Sequence, residues 1–384
     1  MEVKQIYNIV NDSLHETLGD SAILNEDLSN VVDIGTAVFN GEAFDRYVRS
    51  LVNHIGKVIF VNRVYKGGVP SVLMDGWEYG SVLQKISSEM PEAVENESWE
   101  LIDGASYDPN IFRKPEAEQK FFNKKTTFEI DRSITEMQVK QSFSSAEQLN
   151  GFISMLFNEV EKSLTVMTDN LIMRTINNFI GETFYKEFPT GTYSGVTSTR
   201  AVNLLKLYND RYNANITPSD ALTTPEFIRF AAYTMSVYKS RISRISTLFN
   251  IGGKQRFTPD DLLHFVTLAD FQNAADVFLQ SDVYHDMYTK LPKSESVPYW
   301  QGSGENYDIN DITTVNVTTA SGHSVNASGI LSVMFDRDAL GVANFERRIT
   351  TNYNAKAEFT NYFYKQDAQY FNDFNENFVV FYMK

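Results

Sequence analysis

The chain has no cysteine. Disulfides, thiolate metal sites and thiol-based catalysis are therefore excluded, while the compartment stays open. Histidine is scarce: five residues, at positions 15, 54, 264, 285 and 323, share no paired spacing. Positive charge is also short. Against 49 Asp and Glu there are 34 Lys and Arg, a formal net charge of −15. That balance argues against a main surface built to grip nucleic acid, because phosphate binding needs a positive field. No apolar run approaches the roughly 20 residues of a membrane span, and no basic stretch followed by an apolar run opens the chain. Neither a span nor a signal peptide is expected. Internal repeats and low-complexity tracts are missing as well.

What is present is size and aromatic content. The 384 residues suffice for two or three domains with real cores, and the 42% hydrophobic fraction is ordinary for a globular chain. The 28 Phe and 20 Tyr are less ordinary. Such side chains bury large areas at modest entropic cost and favour interfaces.

The chain is organised around Ser144 to Ile180. Ser144 and Glu147 stand at capping-box spacing. Leu149, Phe152, Ile153, Leu156, Val160, Leu164, Met167, Leu171 and Ile172 then recur mostly at three- and four-residue steps, which predicts one helix with a buried stripe. Gly181 is the expected stop. At 1.5 Å per residue such a helix is roughly 50 Å long and reads as a spine for an elongated domain. Two ordinary helices with a break near Lys162 to Asp169 are the other reading.

Around this spine the remaining segments differ in kind. Residues 1–35 mix short apolar patches with acids and read as an arm with a short helix. That helix orders against something else or tucks onto the main body. Asn40 to Ile55 predicts a helix, and Lys57 to Tyr65 a strand before the turn at Gly67-Gly68. Val69 to Asp131 holds Pro70, Pro91, Pro109 and Pro115 and no sustained period. It reads as an extended excursion of two long strands, paired at the base and irregular further out. A free-standing ribbon buries little by itself, so its aromatics suggest another subunit beneath it; a lid or a small irregular subdomain is the alternative. Phe121 to Ile134 alternates as a strand.

Beyond the spine, helices are expected at about Thr199 to Tyr212, from Thr224-Pro225-Glu226, from Thr258-Pro259-Asp260-Asp261, and over Ala274 to Tyr288. Strands are expected at Ile312 to Thr319, Ile330 to Phe335, Arg347 to Asn352, Phe359 to Tyr364 and Asn377 to Met383, with a turn over Asn372 to Asn377. The last strands are expected to pair near the start of the spine.

No residue pattern carries catalysis. Gly191 and Gly195 loosely resemble a phosphate loop but lack the Lys followed by Ser or Thr. Asp260 and Asp261 are simplest as first-turn acids. Asp336 and Asp338 flank Arg337 at a strand end, without a partner acid, histidine or nucleophile motif. No catalytic, cofactor-binding or metal residue is therefore assigned, and no cofactor is expected. Arg46, Arg49, Arg132, Arg174, Arg347 and Arg348 suit bidentate pairing with carboxylates of other subunits, or ordinary surface pairs.

The order of these pieces resembles the major capsid protein of tailed bacteriophages, whose fold encapsulin shells share. Several stretches look like its small podovirus branch: Phe44 to Val61 with Leu51-Val52-Asn53-His54-Ile55-Gly56, Pro115 to Lys120 and the following Phe121 to Gln141, Ser145 to Ile180, and Gly329 to Ala339. The resemblance implies an α+β, HK97-like capsid fold with a long spine helix, an extended β loop and a central mixed domain. Its divisions are an N-terminal arm (1–38), the helix and strand leading into the peripheral domain (39–66), an extension loop (67–131), the peripheral domain with the spine (132–184), an axial domain (185–343), and returning strands of the peripheral domain (344–384). No appended immunoglobulin-like domain and no long N-terminal scaffolding segment are found, and no Lys–Asn crosslink is assigned.

The implied function is a structural, non-enzymatic shell subunit, located in the virion and assembled in the host cytoplasm. Its partners are many copies of itself as hexamers and pentamers, portal and scaffold proteins, and loosely packaged double-stranded DNA, without a membrane. Candidate inter-subunit contacts are Arg46, Arg49, Trp77, Tyr79, Trp99, Tyr107, Phe112 and Phe122. An encapsulin-like compartment, a non-capsid virion component and an enzyme with a long lid loop are the rival readings.

Overall fold

The structure, a computed structural model, describes residues 3–19, 23–25, 29–39, 46–47, 50–51, 54, 69–74, 83–88, 91, 93, 95–108, 110, 112, 114, 117–280, 294–301, 309–319 and 321–384. The longer helices are α1 (Val3–Leu18), α2 (Val31–Phe39), α3 (Glu136–Ser142), α4 (Ala146–Glu187), α5 (Leu204–Tyr212), α6 (Pro225–Ile242) and α7 (Ala269–Gln280). The strands are β1 (Leu73–Met74), β2 (Leu83–Ser88), β3 (Ala117–Phe122), β4 (Lys125–Thr135), β5 (Ala201–Asn203), β6 (Leu263–Leu268), β7 (Glu295–Val297), β8 (Val315–Thr318), β9 (Ser324–Ala327), β10 (Ile330–Asp336), β11 (Leu340–Asn354), β12 (Phe359–Asn372) and β13 (Phe378–Tyr382). Two units share them. The first comprises Met1–Gly80, Lys125–Ile172 and Val342–Gln369; the second comprises Ser81–Lys124, Met173–Gly341 and Tyr370–Lys384.

The spine is unbroken. Helix α4 runs for 42 residues and is continuous over Lys162 to Asp169. Its cap lies one residue later than the sequence pattern suggests. Ser145 Oγ accepts from Gln148 N at 3.2 Å, while the Ser144 hydroxyl donates back to Gln141 O at 2.7 Å. Nor does Gly181 end it. A Cβ there would lie 2.6 Å from Val317 Cγ2, so the glycine lets the helix approach the β8–β9 hairpin. The helix continues to Glu187, and a turn closes behind it as Gly191 N donates to Phe188 O at 2.8 Å.

In the first unit, Leu149, Ile153, Leu156, Val160 and Leu164 of α4 enter one core with Ile9, Val10 and Leu14 of α1 and Val31, Ile34 and Val38 of α2. The described part of residues 1–35 is therefore packed, with apolar positions at helical spacing supplying the contact. Asn11 pins the connection after α1: its side chain accepts from Leu24 N at 2.8 Å and donates to Leu24 O at 3.1 Å. The helix expected over Asn40 to Ile55 falls largely outside the described residues, although Tyr47 and Leu51 are buried in the same core. The strand at Lys57 to Tyr65 and the Gly67-Gly68 turn lie outside them entirely.

A four-stranded sheet, ordered β1-β11-β12-β4, completes this unit. Strands β4 and β12 pair antiparallel from Thr135↔Phe359 to Lys125↔Gln369. Alternation in β4 sends Ile130 and Ile134 to the core, as a half-buried strand requires.

The second unit is built on a five-stranded sheet, ordered β5-β13-β10-β6-β7. Its central strand β10 is buried along its whole length. Three expectations change here. The segment expected as one helix from Thr199 begins as strand β5, and Asn203 caps α5 by accepting from Lys206 N at 3.2 Å. Leu263–Leu268 is a strand and not a helix. The Thr258 hydroxyl is engaged elsewhere, donating to the buried Asp336 Oδ2 at 2.6 Å and accepting from Asn377 Nδ2 at 3.1 Å, and the segment behind it pairs with β10 and β7. The helix expected at Ala274 begins earlier, at Ala269, and is described as far as Gln280.

The C-terminal strands return to both sheets. β11 and β12 join the four-stranded sheet, whereas β13 lies between β5 and β10. Their patterns explain the split. β13 is buried at every position, which suits a strand covered on both faces; β12 largely alternates.

A candidate assembly surface

Of the excursion, Ser81–Lys124 belongs to the second unit, while its two ends belong to the first. β2 and β3 pair antiparallel over six positions, from Leu83↔Phe122 to Ser88↔Ala117. Beyond this short ribbon the described residues hold a single helical turn, Glu97–Glu100. Proline at 91, 109 and 115 and the lack of any apolar period keep the chain from regular structure there. The outcome is a tip whose large apolar side chains have no cover of their own. Trp99 is 85% exposed, Phe112 84%, Leu101 79% and Ile102 61%. Tyr107 is held back, its hydroxyl accepting from Ile102 N at 3.1 Å.

The ribbon's base is clamped by charge. Lys85 of β2 reaches Glu376 at 2.7 Å and Asp373 at 3.0 Å, while Lys120 of β3 reaches Asp373 at 3.1 Å. Arg256 contacts Glu376 at 3.2 Å, Lys254 contacts Glu118 at 3.4 Å, and Asn375 Nδ2 donates to Glu118 at 3.3 Å. Both acids sit in the turn after β12, and the Asp373 side chain is only 2% exposed. Burial alone would raise Asp373, but Lys85 beside it and a bond from Asn375 N hold it below the usual carboxylate range. Burial would likewise lower Lys85, yet Asp373 and Glu376 outweigh it and hold the ammonium above its usual value.

Beside the clamp, Phe122 packs on Phe371 with ring centroids 5.2 Å apart. A cavity of about 120 Å³ opens here, lined by Phe121, Phe122, Lys124, Asn178, Tyr370 and Phe374 among others.

Of the residues expected at subunit contacts, Trp99 and Phe112 are the most open, Tyr107 is partly so, and Phe122 is half-buried within its own chain. Arg46 is exposed. Arg49, Trp77 and Tyr79 lie outside the described residues. Three other arginines find partners in the same chain: Arg132 with Glu159 at 2.8 Å, Arg348 with both oxygens of Asp367, and Arg174 over the Tyr370 ring. Asp336 accepts from Thr258 and from Asp338 N; burial pushes its carboxyl up, and its role is to tie strand ends together. Asp260 pairs with Lys239 at 3.0 Å.

The clamp itself has no signal in sequence, because its partners stand 253 and 291 positions apart. Leu101 and Ile102 do have one: an apolar pair among acids in a stretch without period. Among the described residues no cluster of three or more His, Asp or Glu is arranged for a metal ion, and no helix is long and apolar enough to cross a membrane.

Comparison with curated proteins finds no match. Among solved structures, a chain from native bacteriophage P68, in the structure of its head fibre and inner core protein gp22, aligns at 7% identity. It covers 84% of this chain and 86% of that chain, with a TM-score of 0.52, a likeness of fold. A chain from the capsid of Staphylococcus phage Andhra aligns at 9% identity over 84% of this chain and 86% of that chain, with a TM-score of 0.48. One from the capsid of cyanophage P-SCSP1u aligns at 10% over 85% and 92%, with a TM-score of 0.44. The family model described as Phi29-like phage major capsid protein matches residues 7–382, and the chain belongs to that family.

Proposed function

We propose that this major capsid protein builds its shell by laying the excursion of each copy on a neighbour. The family makes it a structural protein of the virion, the subunit of the icosahedral shell around the phage's double-stranded DNA. The observation that carries the proposal is the tip: Trp99, Leu101, Ile102 and Phe112 stay exposed while the ribbon beneath them is clamped. Large exposed apolar side chains grouped on one segment mark a contact site. Repeated in every copy, modest contacts sum over a closed assembly.

In this reading the fold is HK97-like, the extension loop expected over 67–131 is its part Ser81–Lys124, and the spine with the four-stranded sheet forms the peripheral domain. The five-stranded sheet and its helices form the axial domain that gathers copies into hexamers and pentamers, with portal and scaffold proteins as further partners. The test is a Trp99→Ser/Phe112→Ser double variant of the full chain. The variant is expected to fold with an unchanged thermal melt, because the tip adds little to the subunit's own core, and to lose closed shells in electron micrographs. Shells formed as readily as by the parent would overturn the proposal.

A further inference from the structure

We infer that the tip of the excursion docks on one particular surface of a neighbouring copy, the basic segment 239–257. This rests on the shell reading above and adds the partner surface. Two stretches of the sequence are matched opposites. Between Lys85 and Arg113 there are seven acids, Glu89, Glu92, Glu95, Glu97, Glu100, Asp103 and Asp108, and no Lys or Arg. Between Glu226 and Asp260 there are six cations, Arg229, Lys239, Arg241, Arg244, Lys254 and Arg256, and no acid. In a chain of net charge −15, an acid-free run of that length stands out.

The structure gives each stretch an exposed face of the same composition with opposite charge. On the tip, the acids Glu95, Glu100, Asp103 and Asp108 are exposed and alternate in sequence with the exposed Trp99, Leu101, Ile102 and Phe112. On the basic segment, Arg241 and Arg244 at the end of α6 are exposed beside Ile245, Leu248 and Phe257. Ser246 and Arg256 bond to each other's backbone in both directions at 3.0 Å, an antiparallel bridge that sets Ile245 and Phe257 across from each other at one end of it. The segment's other cations are committed elsewhere: Lys239 to Asp260, Lys254 to Glu118 and Arg256 to Glu376. Arg241, whose guanidinium lies 5.8 Å from the Tyr238 ring centroid and faces no acid in the segment, and Arg244 are the exposed charges offered to a partner. An apolar centre with a rim of opposite charge is the composition of a specific protein interface, in which charge sets the register and partner choice. Each face is exposed in its own chain, so the contact joins two copies head to tail, as ring-forming interfaces do.

The experiment is a charge swap in the full chain, read by shell yield in electron micrographs and by circular dichroism and thermal melting of the subunit. Arg241→Glu/Arg244→Glu is expected to lower shell yield at least tenfold with the fold intact, and so is Glu100→Lys/Asp103→Lys. The four substitutions together are expected to restore shells. Two reversed pairs that abolish shells without mutual rescue overturn the pairing, and so do reversals that leave yield unchanged. A fourth outcome also overturns it: if the arginine reversal leaves shells intact but lowers their DNA content, the basic segment faces the genome. A parent chain that forms no shells under any condition would fail the shell reading itself, a result distinct from all of these.

Discussion

Two glycines on α4 show how the same missing methyl group acts in opposite directions. Gly151 is exposed and a Cβ there would meet nothing within 4 Å. Its only effect is to loosen the unfolded chain and weaken the helix, so Gly151→Ala is expected to stabilise the subunit by about 0.5–1 kcal/mol. Gly181 enjoys the same propensity gain, but its Cβ would press on Val317 Cγ2 at 2.6 Å and Thr319 Cγ2 at 3.1 Å. The clash decides the sign. Overpacking of this kind typically costs about 1–3 kcal/mol, so Gly181→Ala is expected to be destabilising. Denaturant unfolding of the two full-length variants checks both; a stabilising Gly181→Ala would contradict the close approach of helix and hairpin. In the sequence Gly181 reads as the end of the helix and Gly151 as an interior glycine, yet the structure makes both helical. The close approach at Gly181 has no local signal, because Val317 is supplied from 136 positions away, the difference of its number and that of Gly181.

At the scale of elements, the excursion is a ribbon with little core of its own whose base is held by ions. The alternation and prolines made its general character readable, including a paired base and an irregular outer part. Its strands are short, six residues each, and its anchorage is tertiary. Asp373 has a folded-state pKa below its unfolded value, so its contribution is complete above the unfolded pKa and lost as pH falls through the folded one. Lys85 has a raised pKa, so its contribution is complete below the unfolded value and lost as pH rises through the folded one. The clamp is therefore strongest between the ordinary carboxylate and ammonium ranges. Lys85→Met is expected to destabilise the second unit by about 2 kcal/mol at neutral pH, the size of a charge-assisted hydrogen bond, and the deficit is expected to shrink as the medium approaches the low pKa of Asp373. Thermal melts of parent and variant at several pH values check this; a deficit constant into strong acid would mean that the loss is one of packing.

For the whole molecule, charge sets the relation to the genome. A net −15 repels duplex DNA over distances up to a Debye length, about 8 Å at physiological salt. Purified full-length protein is expected not to retard duplex DNA in a gel-shift assay at physiological ionic strength, even though one acid-free segment is present. Tight, salt-sensitive binding would instead mean that the basic residues outweigh the acidic total at one face.

What the sequence by itself determined follows from short-range physics: the amphipathic period of α4, the alternation of β4, the apolar run of β10, the prolines of the excursion and the excess of acids. Each reports on a few neighbouring residues, and the order of such pieces sufficed for the resemblance to phage capsid proteins. Tertiary structure decided the rest. It chose Ser145 over Ser144 as cap, made strand and not helix of Leu263–Leu268 by pairing it with β10 and β7, and sent β13 to a different sheet from β12. It also assembled the clamp from Lys85, Lys120, Asp373 and Glu376. These outcomes depend on which groups meet across long loops. Backbone and side-chain partners compete there on equal terms, and a local pattern carries no record of the distant group that wins.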